Sequence, residues 1–157
     1  MPQVSDIRLM VRAEQPVLSA RIKVSYNNLE GMFARKREDA LSLLRKTGVY
    51  MTDVPFIIYY DFMNLDMYDL DVEFCFPVSC LMEGNEGVQP RVIPQSKVVH
   101  CLFKGDYDEM DYLYGEMTSW MMQKGYEPEG TAYEYYYRRK EEPYDDRLTK
   151  IVLPVKS

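Results

Sequence analysis

Two stretches decide the fold: PFIIYYDF, Pro55 to Phe62, and TAYEYYYR, Thr131 to Arg138. They read as the same strand in two copies. Adding 77 to Gly48, Tyr59, Tyr60, Pro77 and Val78 gives Gly125, Tyr136, Tyr137, Pro154 and Val155, with no gap. Each half runs strand, helix, Gly turn, aromatic strand, strand. This order predicts an α+β fold, a tandem β-α-β-β repeat with pseudo-two-fold symmetry, antiparallel sheet and two main helices. A central cleft is expected where the halves meet, and junctions of this kind commonly hold small molecules. The whole chain reads as one domain, with repeat one at about 5–80 and repeat two at about 95–157.

Outward from the aromatic strands, Ile7 to Ala13 and Ala20 to Tyr26 read as strands joined through Gln15-Pro16. Asn27 and Glu30 stand at capping-box spacing for a helix from about Leu29 to Lys46. Its apolar stripe is Leu29, Met32, Phe33, Ala40, Leu41 and Leu44, with Lys36 snorkelling outward from it. Gly48 ends it in left-handed conformation. Asp71 to Val78 alternates, with Val72, Phe74, Phe76 and Val78 on one face and Asp71, Glu73 and Cys75 on the other. Cys80 to Gln95, with its Gly and Pro residues, reads as the connector between halves. Then Lys97 to Phe103 is a strand, and a helix follows from about Tyr107 to Lys124 with Asp106 and Glu109 at capping-box spacing. Its stripe is Met110, Leu113, Tyr114, Met117, Trp120 and Met121, and Gly125 ends it. Arg138 to Arg147 reads as a polar hairpin loop, and Arg147 to Val155 as the last strand.

The charge is uneven. The net value of −6 argues against direct contact with nucleic acid, because phosphate binding needs a basic face. Thr47 to Pro90 holds eight acidic residues and no Lys or Arg, which makes it either a solvated face or a field that attracts cations. Cys75, Cys80 and Cys101 form no CxxC pair, and with no signal peptide the expectation is reduced thiols in the cytoplasm. No apolar run approaches the roughly 20 residues needed to span a membrane. Walker and Rossmann patterns are absent, so no cofactor is expected. With one histidine, His100, and three scattered cysteines a metal site would be hard to build, and none is expected.

Glu134 is the residue most suited to chemistry. It stands among Tyr133, Tyr135, Tyr136 and Tyr137, and alternation puts it on one face with Ala132 and Tyr136. The matching residue of the first repeat is Ile57. A carboxylate in such a strand either faces water at a sheet edge or sits in a pocket. In a pocket it is costly without a cation or hydrogen-bond donors. Aromatic walls around it suit flat cations through stacking and cation–π contact. Trp120, Tyr114 and Met117 share the second helix's stripe, where each is either core or pocket wall. Tyr59 and Tyr136 are repeat-equivalent and are expected to line the cleft from both sides.

The run Lys104-Gly105-Asp106-Tyr107-Asp108-Glu109-Met110, then Tyr114, Trp120, Gly125-Tyr126-Glu127-Pro128, Gly130 and Glu134-x-Tyr136, resembles the GyrI-like domain. Asp71-x-Glu73 leading to Phe76-Pro77-Val78, and Val152-Leu153-Pro154-Val155, extend the likeness to nearly the whole chain. The same domain is the effector-binding module of multidrug-sensing transcription regulators. The resemblance implies binding of bulky, cationic aromatic compounds. In regulator versions a buried Glu meets the ligand's charge, and the matching position here is Glu134. Some free-standing members resemble hydrolases that open cyclopropane-bearing, DNA-alkylating toxins. Unlike the regulators, this sequence shows no DNA-binding domain.

Two functional expectations follow. One is a free-standing binding protein for apolar or cationic aromatic molecules, with Tyr59, Tyr114, Met117, Trp120, Glu134 and Tyr136 as ligand contacts. The other is a hydrolase of electrophilic toxins, with Glu134 as general base and Tyr136 polarising the substrate. A weaker third reading is a protein–protein inhibitor that sets its acidic face against a basic partner.

Overall fold

A computed structural model describes residues 5–106, 109–138 and 147–156. The chain divides into two compact units. Unit I is Ala13–Gln95, and unit II is Met1–Arg12 with Ser96–Ser157. Among the described residues, each unit has four antiparallel strands and one α-helix, an α+β arrangement.

In unit I, β2 (Gln15–Val24), α1 (Tyr26–Thr47), β3 (Phe56–Tyr59), β4 (Leu70–Pro77) and β5 (Gln89–Ile93) follow in sequence, with a 3-10 turn at Phe62–Asn64. The strands lie in the order β3-β4-β2-β5. α1 packs on β2 and β4. Its Phe33 stacks on Phe74 at 5.3 Å and on Phe76 at 6.0 Å. These rings, with Leu18, Ile57 and Val72, make a fully or nearly fully buried core. Aromatic stacks of this kind add to the free energy of area burial.

In unit II, β1 (Arg8–Arg12), β6 (Ser96–Lys104), α2 (Met110–Lys124), β7 (Ala132–Arg138) and β8 (Leu148–Pro154) lie in the order β7-β8-β6-β1. α2 packs on β6 and buries Met110, Leu113, Met117 and Met121.

The spacing of 77 residues reappears in the hydrogen-bond registers. Phe56, Ile57, Ile58 and Tyr59 stand opposite Cys75, Phe74, Glu73 and Val72. Tyr133, Glu134, Tyr135 and Tyr136 stand opposite Val152, Ile151, Lys150 and Thr149, the same pairs moved by 77. The bridge Met51 to Val78 has its counterpart in Pro128 to Val155. The amides of Thr52 and Glu129 donate to the carbonyls of Pro77 and Pro154, again at equivalent positions. Gly48 (φ 74°) and Gly125 (φ 80°) close the two helices in the left-handed region.

Several local expectations are corrected. Neither capping box forms: α1 starts at Tyr26 after Ser25 and α2 at Met110 after Glu109, both without a side-chain cap. The Asp106 carboxylate accepts instead from Arg147 Nη1 at 2.9 Å. Lys36 does not reach into water, because its ammonium donates to the Gly87 carbonyl at 3.1 Å. The supposed connector contains β5, which pairs with β2. Pro90 is tolerated there because β5 is the outer strand of unit I, where a missing N–H breaks no inner ladder. The N-terminal strand pairs with β6 rather than within the first repeat. β2 already begins at Gln15, so Pro16 lies inside a strand and not in a joining turn. Tyr107, Asp108 and most of the polar hairpin, 139–146, lie outside the described residues. Among the described residues, no helix is long and apolar enough to cross a membrane.

A Cβ at Gly48 or Gly125 would meet nothing within 4 Å, so only the backbone conformation resists a side chain. Gly48→Ala and Gly125→Ala should each cost about 1–2 kcal/mol. Urea unfolding of the two variants should give similar losses.

Candidate functional site

The face of β7 that α2 covers carries the site. α2 holds Tyr114 on its inner side, and alternation on β7 presents Glu134 and Tyr136 to that same side. Tyr114 Oη donates to Glu134 Oε2 at 2.5 Å, and Tyr136 Oη donates to Glu134 Oε1 at 2.7 Å. Each carboxylate oxygen thus has one phenol. The residue keeps some exposed surface overall, but its carboxyl group is enclosed by protein. Burial pushes the carboxyl pKa up, the two phenols lower it in part, and the charge of Asp111 adds to the rise. Among the described residues, no cationic side chain pairs with Glu134.

The other expected contacts divide. Met117, one turn beyond Tyr114, is fully buried. Trp120 stacks on Tyr126 at 6.2 Å, with the Lys124 ammonium 5.7 Å from its ring centre. Tyr59 belongs to unit I, opposite Val72 on β4. His100 on β6 is half-buried, and burial lowers its pKa, helped by Lys150 and Arg8. Among the described residues, no cluster of three or more His, Cys, Asp or Glu could hold a metal ion.

Sequence reasoning missed a second buried carboxylate, Glu73, in unit I. Alternation put it on a polar face, but β4 is the inner strand between β3 and β2 and is covered on both faces. Glu73 is 4% exposed. It accepts from Ser19 Oγ at 2.7 Å, from Tyr60 Oη at 2.5 Å and from the Arg91 guanidinium. Burial alone would raise its pKa, but the bonds from Tyr60, Ser19 and Arg91 outweigh it and hold the carboxyl below its usual range. Tyr60 is pushed up by burial and by Glu73. The Arg21 guanidinium lies 3.6 Å from the Tyr60 ring centre, over its face, and forms a two-pronged pair with Asp71 at 3.0 and 2.9 Å. The usable signal was the strand register. Glu73 faces Ile58 on β3 and Arg21 on β2, and Arg91 on β5 sits beyond, opposite Val17.

The two carboxylates therefore differ in one respect. Glu73 has a resident guanidinium and the described part of Glu134's surroundings supplies none. The chain matches the GyrI-like small molecule binding domain over residues 5–156 and belongs to that family. It is a small-molecule-binding domain. In fold it is similar to the crystal structure of the EcmrR C-terminal domain, with a TM-score of 0.83 at 22% identity, covering 96% of this chain and 97% of that one. Against EcmrR in its complex with DNA the TM-score is 0.84 at 22% identity, and the match covers 96% of this chain and 57% of that chain. This chain thus spans little more than half of EcmrR. A hydrolase from Listeria innocua matches with a TM-score of 0.72 at 10% identity, over 96% of this chain and 91% of that one. SAV2435, in a structure bound to tetraphenylphosphonium, matches at 0.63 and 13%, over 97% and 94%. At such identities the likeness establishes the fold. No curated protein sequence matches the chain.

The two carboxylates should have opposite effects on stability. The folded pKa of Glu73 lies below its ordinary 4.5, so it contributes stability above that pH and loses it as pH falls through the folded value. The folded pKa of Glu134 lies above 4.5, so stability falls as pH rises through the window between the two values. At pH 7, Glu73→Gln should lower the urea midpoint and Glu134→Gln should raise it. Both differences should shrink in acid.

Proposed function

We propose that the Glu134 site binds bulky, apolar, cationic aromatic molecules, with Glu134 meeting the positive charge. The observation that carries this reading is an enclosed carboxyl held by two phenols and, among the described residues, paired with no cation. An enclosed carboxylate is costly unless a positive charge accompanies it. For Glu73 that charge is Arg91; for Glu134 it is the ligand. Tyr114, Tyr136 and Met117 are the expected ligand contacts around it, with Trp120 as a further one. SAV2435, with the same fold, takes a cation of this class, tetraphenylphosphonium. The acidic balance of the chain favours cations over anions at longer range.

Titration with tetraphenylphosphonium tests the reading. A charge-assisted contact contributes about 1.5–3 kcal/mol, so Glu134→Gln should weaken binding roughly tenfold or more, at about 1.4 kcal/mol per decade. A neutral aromatic of matched size should be unaffected. Equal losses for both would remove Glu134 as the charge reader. Because the carboxyl must ionise to meet a cation and its pKa is raised, affinity should climb as pH rises through that value, and binding should release protons. Calorimetry in buffers of different ionisation enthalpy measures that release.

The same raised pKa favours a second reading, hydrolysis of cyclopropane-bearing or other electrophilic compounds. A carboxyl tuned toward neutrality is suited to act as general base on water, with Tyr136 or Tyr114 polarising the substrate. In that case Glu134→Gln should cost about 10²–10⁴-fold in turnover, while a neutral substrate still binds. Product analysis by mass spectrometry after incubation with an electrophile panel separates the two readings.

A further inference from the structure

Thr149 lies on β8, fully buried. Its Oγ1 has no hydrogen-bond partner among the described residues. The register sets it directly opposite Tyr136, whose hydroxyl donates to Glu134. Directly opposed residues share a face and have Cβ atoms about 4.5–5.5 Å apart. Thr149 therefore belongs to the layer of side chains that holds the Glu134 carboxyl.

The repeat supplies an internal control. The position equivalent to Thr149 is Val72, and the position equivalent to Glu134 is Ile57. Both are fully or nearly fully buried and apolar. Val fills the same volume as Thr, so the packing of this layer does not require a hydroxyl. A buried hydroxyl without a partner is destabilising. In unit II two neighbouring apolar positions have thus become polar, one a carboxyl and one an orphaned hydroxyl, on the same face of adjacent strands.

We infer that Thr149 is a ligand-contacting residue that makes the Glu134 site prefer cations bearing N–H donors over cations without them. The inference rests on the reading of Glu134 as the charge-meeting group. A protonated amine or amidine can direct one N–H to the carboxylate and another to Thr149 Oγ1. A phosphonium or N-alkylated ring has charge but no N–H, and leaves the hydroxyl unsatisfied. Selection by a buried polar group works through this asymmetry, because an unfilled hydrogen bond counts against the wrong ligand.

The test uses two flat cations of similar size, 9-aminoacridinium, which has N–H groups, and 10-methylacridinium, which has none. Tetraphenylphosphonium serves as a third, N–H-free reference. The wild-type protein should bind 9-aminoacridinium the more tightly of the pair. Thr149→Val should cut that preference by about tenfold and leave the two N–H-free cations within about twofold. Without ligand, the same variant should melt about 2–4 °C higher, since it removes an unpaired hydroxyl. Thr149→Ser should keep the preference. An unchanged preference in Thr149→Val, or a lower melting temperature of the ligand-free variant, overturns the inference. If tetraphenylphosphonium binds the wild type and responds to Glu134→Gln, such a result leaves the Glu134 reading intact. If none of the three cations binds, both readings fall together.

Discussion

A slip of one residue between β7 and β8 would move Glu134 and Tyr136 off the face that α2 covers and would part Tyr136 from Thr149. The site exists because the register is fixed. It is fixed by the alternation of β8, by the bridge Pro128 to Val155 beyond its end, and by the amide of Glu129 bonded to the Pro154 carbonyl. The same three restraints, 77 residues earlier, fix β3 against β4. Backbone hydrogen bonds thus carry the symmetry of the repeat, and the side chains are free to depart from it.

They depart where charge is concerned. On the face that α1 covers, unit I buries the apolar side chains of Ile57, Val72, Phe74 and Phe76. Its buried carboxylate, Glu73, lies on the opposite face and is satisfied by Arg91, Tyr60 and Ser19. Unit II places its carboxylate on the helix-covered face and surrounds it with phenols. A carboxylate paired with a guanidinium holds its neighbours in place. One held only by neutral donors keeps an electrostatic demand that a ligand can meet.

Much of the fold was legible because hydrophobic periodicity and the 77-residue spacing are local or near-local signals. Gly48 and Gly125 marked the helix ends, and the aromatic strands marked their own centres. Glu134 with Tyr136 on one face followed from period-two alternation. What failed were readings that depend on distant pairing. β5 was hidden by Pro90 and Pro94, which suggest a loop until an outer strand position is known. Asp106 looked like a helix cap, but Arg147, 41 residues on, claims its carboxylate. The burial of Glu73 was not legible, because alternation on a strand covered on both faces says nothing about which face is wet. Thr149 gave no signal by itself. Only comparison with Val72 and knowledge of its burial set it apart.

The helices differ in what they bury. α1 presses Leu29, Phe33, Ala40 and Leu44 inward, and Phe33 locks into a stack of rings. α2 presses Met110, Leu113, Met117 and Met121. Methionine is unbranched and polarisable, and it refills a space of changed shape at small cost. The copy built on rings resists substitution and preserves the architecture. The copy built on thioethers can refill its core with small adjustments when a neighbouring side chain changes shape.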